Sequence, residues 1–443
     1  MRTRRRGTSK AAESEITRRS FVQAGAGALA LASGSLLGAS LTRGASAAEA
    51  RSRPERFLKV GVIGCGGRGR GAAVNALEAS PEVRVVALGD LFPDRISQAR
   101  AELEKHGGER AVVAESACFT GFDAVNRVLG TDCDLVILAT PPGFRPGHFE
   151  AAVNAGKHVF LEKPVAVCPA GIRQVIAAAG KAAEKKLSVV AGTQRRHEKS
   201  YLAAMERIHG GLIGKPVAAR CVWNMGGLWV VPPVASRSDV ENQIRNWLYH
   251  TWLSGDHIVE QHVHNIDVVN WAFDAHPIRA CAVGGRAART QPQYGHVYDH
   301  FAVDFEYPER RFALSLARQQ DGTSERVEEI VHGTEGMMRL ASGMAEARGM
   351  RAWRFEGPNP NPYMLEHVVL QESIRNNAPV NEGVRIAEST MSAIMGRMAA
   401  YSGKDISWDE AINHPLDLRP GSDLAFGARA QAPVAIPGRV ASA

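Results

Sequence analysis

The stretch VGVIGCGGRG, Val60 to Gly69, decides the fold. Val60 to Ile63 is a short β-branched and apolar run, which reads as a buried strand. Gly64-Cys65-Gly66-Gly67-Arg68-Gly69 follows as G-x-G-x-x-G, and "GAAVNALEAS" after it suits a helix. Strand, glycine turn and helix in that order form the context in which this motif cradles a dinucleotide. Gly64 permits the tight turn, Gly66 lets the backbone approach a pyrophosphate, and Gly69 lets helix and strand pack closely. The phosphates are expected on the helix N-terminus, where free N–H groups and the helix dipole favour anions.

Downstream, "VRVVALGD" ends at Asp90, 21 positions after Gly69. An acid there accepts the ribose hydroxyls of NAD and repels the 2′-phosphate of NADP. Arg95 lies close by in sequence and leaves NADP open. Helices near 94–106, 146–155 and 169–186 alternate with strands at 134–140, 158–164 and 188–193. That alternation predicts an α/β, doubly wound parallel sheet over residues 56–195. Thr140, Pro141 and His148 follow the strand "DLVILAT", and ligands of such sheets bind at the carboxyl edge of the strands.

From about Gly214 the pattern changes. "PVAARCVW", "IRACAVGGRA", "HFAVDFEYP", "RFALSLARQ" and "RVEEIVHGTEG" follow one another with few helical signals between them. They predict an α+β second domain, residues 196–415, with a large, mostly antiparallel open sheet. One helix is expected at 256–273, and others at 366–377 and 381–403. Residues 416–443, rich in Gly, Ala and Pro, read as an arm or tail. Trp223, Trp229, Trp247 and Trp252 are four of the seven tryptophans and fall within 30 residues of one another. Such density suggests stacking on a sugar ring or an interface, and Trp252 is a candidate substrate contact.

Residues 1–48 read as a twin-arginine export signal. "TRRSFV" (Thr17 to Val22) precedes a weakly hydrophobic Gly/Ala/Ser-rich stretch and "ASA" at 45–47. The export machinery is thus an expected partner, and a periplasmic or otherwise exported location is expected, with no stable membrane insertion after processing. The net charge of +7 comes mostly from this segment, which holds eight basic and two acidic residues. The remaining 45 basic and 44 acidic residues give no electrostatic case for nucleic acid. The six cysteines form no C-x-x-C and read as scattered thiols.

The glycine loop, "ATPPGFRPGHFEAAVNAGKHVFLEKPVA" (Ala139 to Ala166), a later E-x-x-x-H-x-x-D and "HGTEG" (His332 to Gly336) together resemble the glucose–fructose oxidoreductase, inositol dehydrogenase and rhizopine-catabolism (Gfo/Idh/MocA) family, across roughly residues 56–415. The resemblance implies that Lys163 of E-K-P contacts both nicotinamide and substrate hydroxyl, that Glu162 sits by the cofactor, and that His264 is the catalytic histidine. Glu260 stands where the family has Asp and His262 where it has Gly. The resemblance further implies a homodimer or homotetramer formed through the open sheet.

If 256–273 is one regular helix, about 100° per residue places His257, Glu260, His264 and Asp267 on one face, with His262 pointing away. His264 then removes a hydroxyl proton, Glu260 orients the imidazole, and Lys163 stabilises the oxygen. Asp256, His257, Asn265 and Asp267 are candidate sugar contacts. In "GTQRRH", Gln194 is expected at the cofactor and Arg196 at the substrate, with Arg195 a solvated charge. The leading expectation is an exported NAD(P)-dependent oxidoreductase acting on a sugar, glycoside or polyol hydroxyl, with a tightly held cofactor and no metal. The alternative is a redox-assisted glycosidase that oxidises at C3 and eliminates across C2. A metal held by the histidine–acid face and a non-catalytic sugar-binding protein are the remaining rivals.

Overall fold

The computed structural model describes residues 57–439, so the expected export signal lies outside the described residues. Six strands form the first sheet: β1 (Leu58–Ile63), β2 (Val83–Asp90), β3 (Cys118–Thr120), β4 (Leu135–Leu138), β5 (His158–Leu161) and β6 (Val189–Ala191). Their order is β3-β2-β1-β4-β5-β6, and every pairing is parallel. All four residues of β4 are buried, as expected of a central strand covered on both faces. Leu135 and Ile137 point into one apolar core, Val136 and Leu138 into the other. The strand order reverses between β1 and β4, which opens a crevice at their carboxyl ends.

The second sheet has nine strands: β7 (Pro216–Met225), β8 (Arg279–Gly285), β9 (His300–Tyr307), β10 (Arg311–Gln319), β11 (Arg326–Gly333), β12 (Gly336–Ala341), β13 (Met344–Gly349), β14 (Trp353–Arg354) and β15 (Ile406–Ser407). The order is β14-β13-β12-β11-β7-β10-β9-β8-β15, antiparallel except for the parallel β7–β10 pair. Phe301, Val303, Phe305 and Tyr307 alternate inward along β9 and join the larger core. Val217, Val283, Phe312 and Leu314 are exposed. No helix among the described residues is long and apolar enough to cross a membrane. The cysteines are free thiols, as their scattered spacing suggests.

Two late helices return to the first sheet. Helix Pro362–Arg375 packs on helix Gly67–Ala79, where Gln371 Nε2 donates to the Ala76 carbonyl at 2.9 Å. Helix Gly383–Ser402, almost wholly buried, fills the space between the two sheets. Residues 414–439 form no helix or strand.

The expected helix 256–273 is broken. It runs from His257 to Glu260 and restarts at Val263, continuing to Phe273. At the break the His262 N–H donates to the His257 carbonyl, five residues back, at 3.1 Å. Such a wide turn inserts extra rotation into the helix. The uniform phase assumed from the sequence therefore fails, and the four polar residues do not share one face.

Asp267 instead ties three elements together. Its carboxylate accepts from Arg196 Nε (2.8 Å) and Nη2 (2.9 Å), from Arg385 Nη1 (3.2 Å) and from Ser389 Oγ (2.7 Å). Burial opposes its charge, but Arg196 and Arg385 outweigh burial and hold the carboxyl down at about 2. The stability this group contributes is full above the unfolded Asp value of about 3.9 and is lost as pH falls through about 2. Asp267→Ala leaves two arginines facing each other without a counter-charge. Urea unfolding at pH 7 is expected to show a loss of about 3–5 kcal/mol. A loss within experimental error of zero would contradict this role.

Candidate active site

The glycine loop is built as its sequence requires. Gly64 has φ +93°, and a Cβ there would lie 2.6 Å from the Ala139 and Thr140 backbone. A Cβ on Gly69 would lie 1.8 Å from the Gly64 carbonyl oxygen, so only glycine lets the helix approach the strand this closely. Gly66 and Gly67 would meet nothing within 4 Å, which leaves their backbone open to a ligand. Helix Gly67–Ala79 has neither a side-chain cap nor an acid in its first turn, so its N–H groups remain available to an anion. A cleft of about 570 Å³ runs over this loop and is lined by Gly64, Gly66, Asp90, Thr140, Pro141 and His148, among others.

Asp90 accepts from the Cys65 N–H (2.7 Å) and the Phe92 N–H (2.9 Å), which fixes its carboxylate at the cleft wall. The Cys65 thiol is buried against the Gly89 carbonyl, and burial pushes it up. Thr140 Oγ1 lies 3.1 Å from His148 Nδ1, and burial lowers His148 to about 4, so its ring is neutral. An open glycine backbone, an uncapped helix and an anchored acid fit a dinucleotide.

Arg68 leaves the loop and pairs with Glu162 of E-K-P. Its Nη2 also stands 3.8 Å from Glu366, and its guanidinium lies 5.0 Å from the Tyr363 ring centroid. Glu162 is packed under Gly192, where a Cβ would meet its carboxylate at 2.6 Å. Glu366 is fully buried and neither of its oxygens has a hydrogen bond, and burial raises its carboxyl well above the usual range. Arg145 went unassigned in the sequence reading. It is buried and donates to both the Pro164 and Thr140 carbonyls, clamping the E-K-P turn to the Thr140 turn. The helix starts at Arg145, one residue before its expected start, so the sequence carried no signal for this role.

Lys163 reaches from the end of β5 into the helix break. Its Nζ donates to the Glu260 main-chain oxygen at 2.7 Å and to Glu260 Oε1 at 3.1 Å. Glu260 therefore pairs with Lys163 and does not orient the imidazole as expected. His264 stacks on Trp223, with ring centroids 5.9 Å apart, and its Nδ1 is buried with no hydrogen-bond partner. Burial, then the nearby Lys163 charge, hold His264 well below the usual histidine value.

Several expected sugar contacts are spent internally. Asp256 is fully buried and accepts from the Tyr298 N–H (2.8 Å) and the Tyr401 hydroxyl (2.5 Å). Its φ of +73°, unusual for a residue with a side chain, is held by those bonds. His257 packs edge-on against Phe301 at 5.0 Å. Asn265 donates to the Val222 carbonyl of β7 at 3.1 Å, and Arg196 is committed to Asp267. Trp252 is buried, its Nε1 donating to Gln243 at 2.8 Å. Gln194 keeps a buried Oε1 without a partner.

Arg195, expected in solvent, is buried and paired with Glu329 of β11, which also accepts from the Tyr201 hydroxyl at 2.9 Å. The partner lies 134 residues away in sequence, so nothing local announced it. His262 does point away, to Ser315 Oγ at 2.8 Å. Among the described residues no group of three or more His, Cys, Asp or Glu is placed to hold a metal.

Known proteins share this organisation. Residues 58–193 match the oxidoreductase family with an NAD-binding Rossmann fold, and residues 201–339 match the GFO/IDH/MocA C-terminal domain. Inositol 2-dehydrogenase of Klebsiella pneumoniae is 34% identical over 167 residues, 37% of this chain and 45% of that protein. The same-named protein of Ralstonia nicotianae is 30% identical over 46% of this chain and 57% of its own. The matched stretch thus spans about half the length of these curated relatives. Among solved structures, scyllo-inositol dehydrogenase of Lactobacillus casei with NAD(H) and scyllo-inositol superposes with TM-score 0.61 at 21% identity, covering 80% of this chain and 99% of that one. Aldose-aldose oxidoreductase of Caulobacter crescentus gives 0.63 at 18% identity, covering 80% and 100%. Both sheets, the glycine loop and the two matched domains agree: this chain belongs to the Gfo/Idh/MocA oxidoreductase family.

Proposed function

We propose that the protein is an exported, NAD-dependent oxidoreductase acting on a secondary hydroxyl of a sugar or polyol. The observation that carries this reading is Lys163, just past the end of β5, bonded to Glu260, with its charge acting on the buried His264 four residues further on. Bound NAD supplies the hydride acceptor. An ammonium has three donors. Lys163 directs two of them to Glu260, and the third is left for a substrate oxygen. His264, neutral at physiological pH, accepts the hydroxyl proton, and Lys163 stabilises the oxygen as that proton leaves. Trp223 holds the imidazole plane. The inositol dehydrogenases among the relatives support a polyol or sugar as the substrate class.

Oxidation of a panel of inositols and aldoses, followed as NADH absorbance, tests this. Lys163→Met and His264→Ala are each expected to lower kcat by about 10²- to 10⁴-fold. His264 must be neutral to act, so the acid limb of the rate is expected below the ordinary histidine value of about 6.5. Removing the Lys163 charge lets His264 protonate more readily, so the residual activity of Lys163→Met is expected to show that limb at higher pH. Unchanged rates in both variants would contradict the assignment. Aglycone release from a nitrophenyl glycoside with no net NADH would replace it with the redox-assisted glycosidase.

Export rests on "TRRSFV" and the "ASA" site. The twin-arginine route carries folded proteins, which suits a chain that takes up its cofactor before it leaves the cytoplasm. Protein recovered from the periplasm is expected to lack the first 47 or so residues by mass. It is also expected to release NAD on denaturation. Recovery only from the cytoplasm, at full length, would contradict export.

A further inference from the structure

The cofactor cleft has a wall that does not come from the first sheet. Its lining includes Phe92 and Phe122 near Asp90 and also Trp229, Ile244, Arg245 and Trp247 of the segment that follows β7. Arg245 lies over the Phe92 ring at 3.8 Å and pairs with Asp94 at 3.2 Å, which draws that segment onto the glycine-loop domain.

The C-terminal segment then crosses the same end. It is pinned at its start, where the Leu418 N–H meets Cys168 Sγ (3.2 Å) and Arg419 Nη1 donates to Gln174 (2.7 Å). It is pinned at its finish, where the Ala435 carbonyl accepts from the Tyr298 hydroxyl (3.0 Å). Between those points it meets residues that line the cleft and others that stand just behind them. Phe426 stacks on Phe92 at 6.2 Å and meets Phe122 at a tilt at 5.1 Å, and Leu424 packs on the cluster of Phe92, Ile244 and Trp252. The Gly427 carbonyl accepts from the Val240 N–H at 3.2 Å, and the Arg429 guanidinium covers Trp252 at 4.1 Å. A cavity of about 410 Å³ lined by Asp417, Arg419 and Leu424, among others, shares Phe122, Phe144 and His148 with the lining of the cofactor cleft.

We propose that residues 416–436 are part of the dinucleotide site, a strap whose Phe426 and Leu424 brace Phe92 and Phe122 at the Asp90 end and set how slowly the cofactor leaves. The proposal rests on the NAD reading above. In folds of this kind the acid at the end of the second strand meets the adenosine ribose, so the strap closes the adenosine half and leaves the Lys163 and His264 half free for substrate exchange. Most differences in affinity between related complexes lie in the dissociation rate, and an apolar brace tied at both ends acts on that rate. Phe426 is itself half-exposed, so the brace can swing away without unfolding the sheet beneath it.

The test is NADH release from the full-length protein, measured by stopped-flow chase with excess NAD. Phe426→Ala and the double variant L424A/F426A are expected to release NADH about tenfold faster or more, with Phe426→Trp within about twofold of wild type. Release rates unchanged in both alanine variants would overturn the strap. If neither variant folds, trypsin decides with the wild type: saturating NADH is expected to slow cleavage after Arg419 and Arg429 about tenfold, and equal rates with and without NADH would overturn it. Wild-type protein that binds no NADH would sink the cofactor reading and the strap together. Binding with unaffected release would sink the strap alone.

Discussion

The contact between Lys163 and Glu260 is the constraint on which the site depends. Lys163 sits where β5 ends, and Glu260 is the last residue of a helical turn that stops there. The Lys163 ammonium bonds both the Glu260 carboxylate and its main-chain oxygen. A carbonyl at the end of a broken helix has lost its usual helical donor, and a cation satisfies it. One side chain thus joins the carboxyl edge of the first sheet to the helical segment of the second domain. His264 is the second residue of the next helix, and the same charge acts on it. Pairing Lys163 with Glu260 also keeps a cation in a site only 12% exposed, where an unpaired ammonium would be costly.

Around this point most polar groups are scaffold. Arg196, Asp267, Arg385 and Ser389 belong to one network, which Arg385 extends to Glu382 and Thr193, and Arg195, Glu329 and Tyr201 belong to another. Arg145 locks the E-K-P turn to the Thr140 turn. Among the described residues, eighteen buried side-chain nitrogens and oxygens still have no hydrogen-bond partner. His264 Nδ1, Gln194 Oε1 and both Glu366 oxygens are among them.

The glycine loop, Asp90, the alternating first half and the strands β7 to β11 were legible because each rests on local geometry. A φ of +93° demands Gly64, and a 1.8 Å approach demands Gly69, wherever they occur. The polar face of 256–273 was misread because its phase assumed an unbroken helix, whereas the His262 N–H bonds five residues back. Local sequence does not show that break, where Lys163, 97 residues earlier, bonds the Glu260 carbonyl. Arg195 and Arg196 are neighbours with opposite expectations, yet both are drawn into ion pairs inside the protein, because their acids lie on β11 and on helix Val263–Phe273. The arm at 416–439 read as a tail because it carries no periodic pattern. Its order comes from tertiary contacts alone, such as Phe426 on Phe122.

The most direct test of the account is a crystal structure of the protein with NADH and an inositol or aldose that it oxidises. The account predicts one substrate oxygen within about 3.2 Å of both Lys163 Nζ and a ring nitrogen of His264, on the carbon that faces the nicotinamide. A substrate whose reacting oxygen touches neither group, with Lys163 still bound only to Glu260, would contradict it.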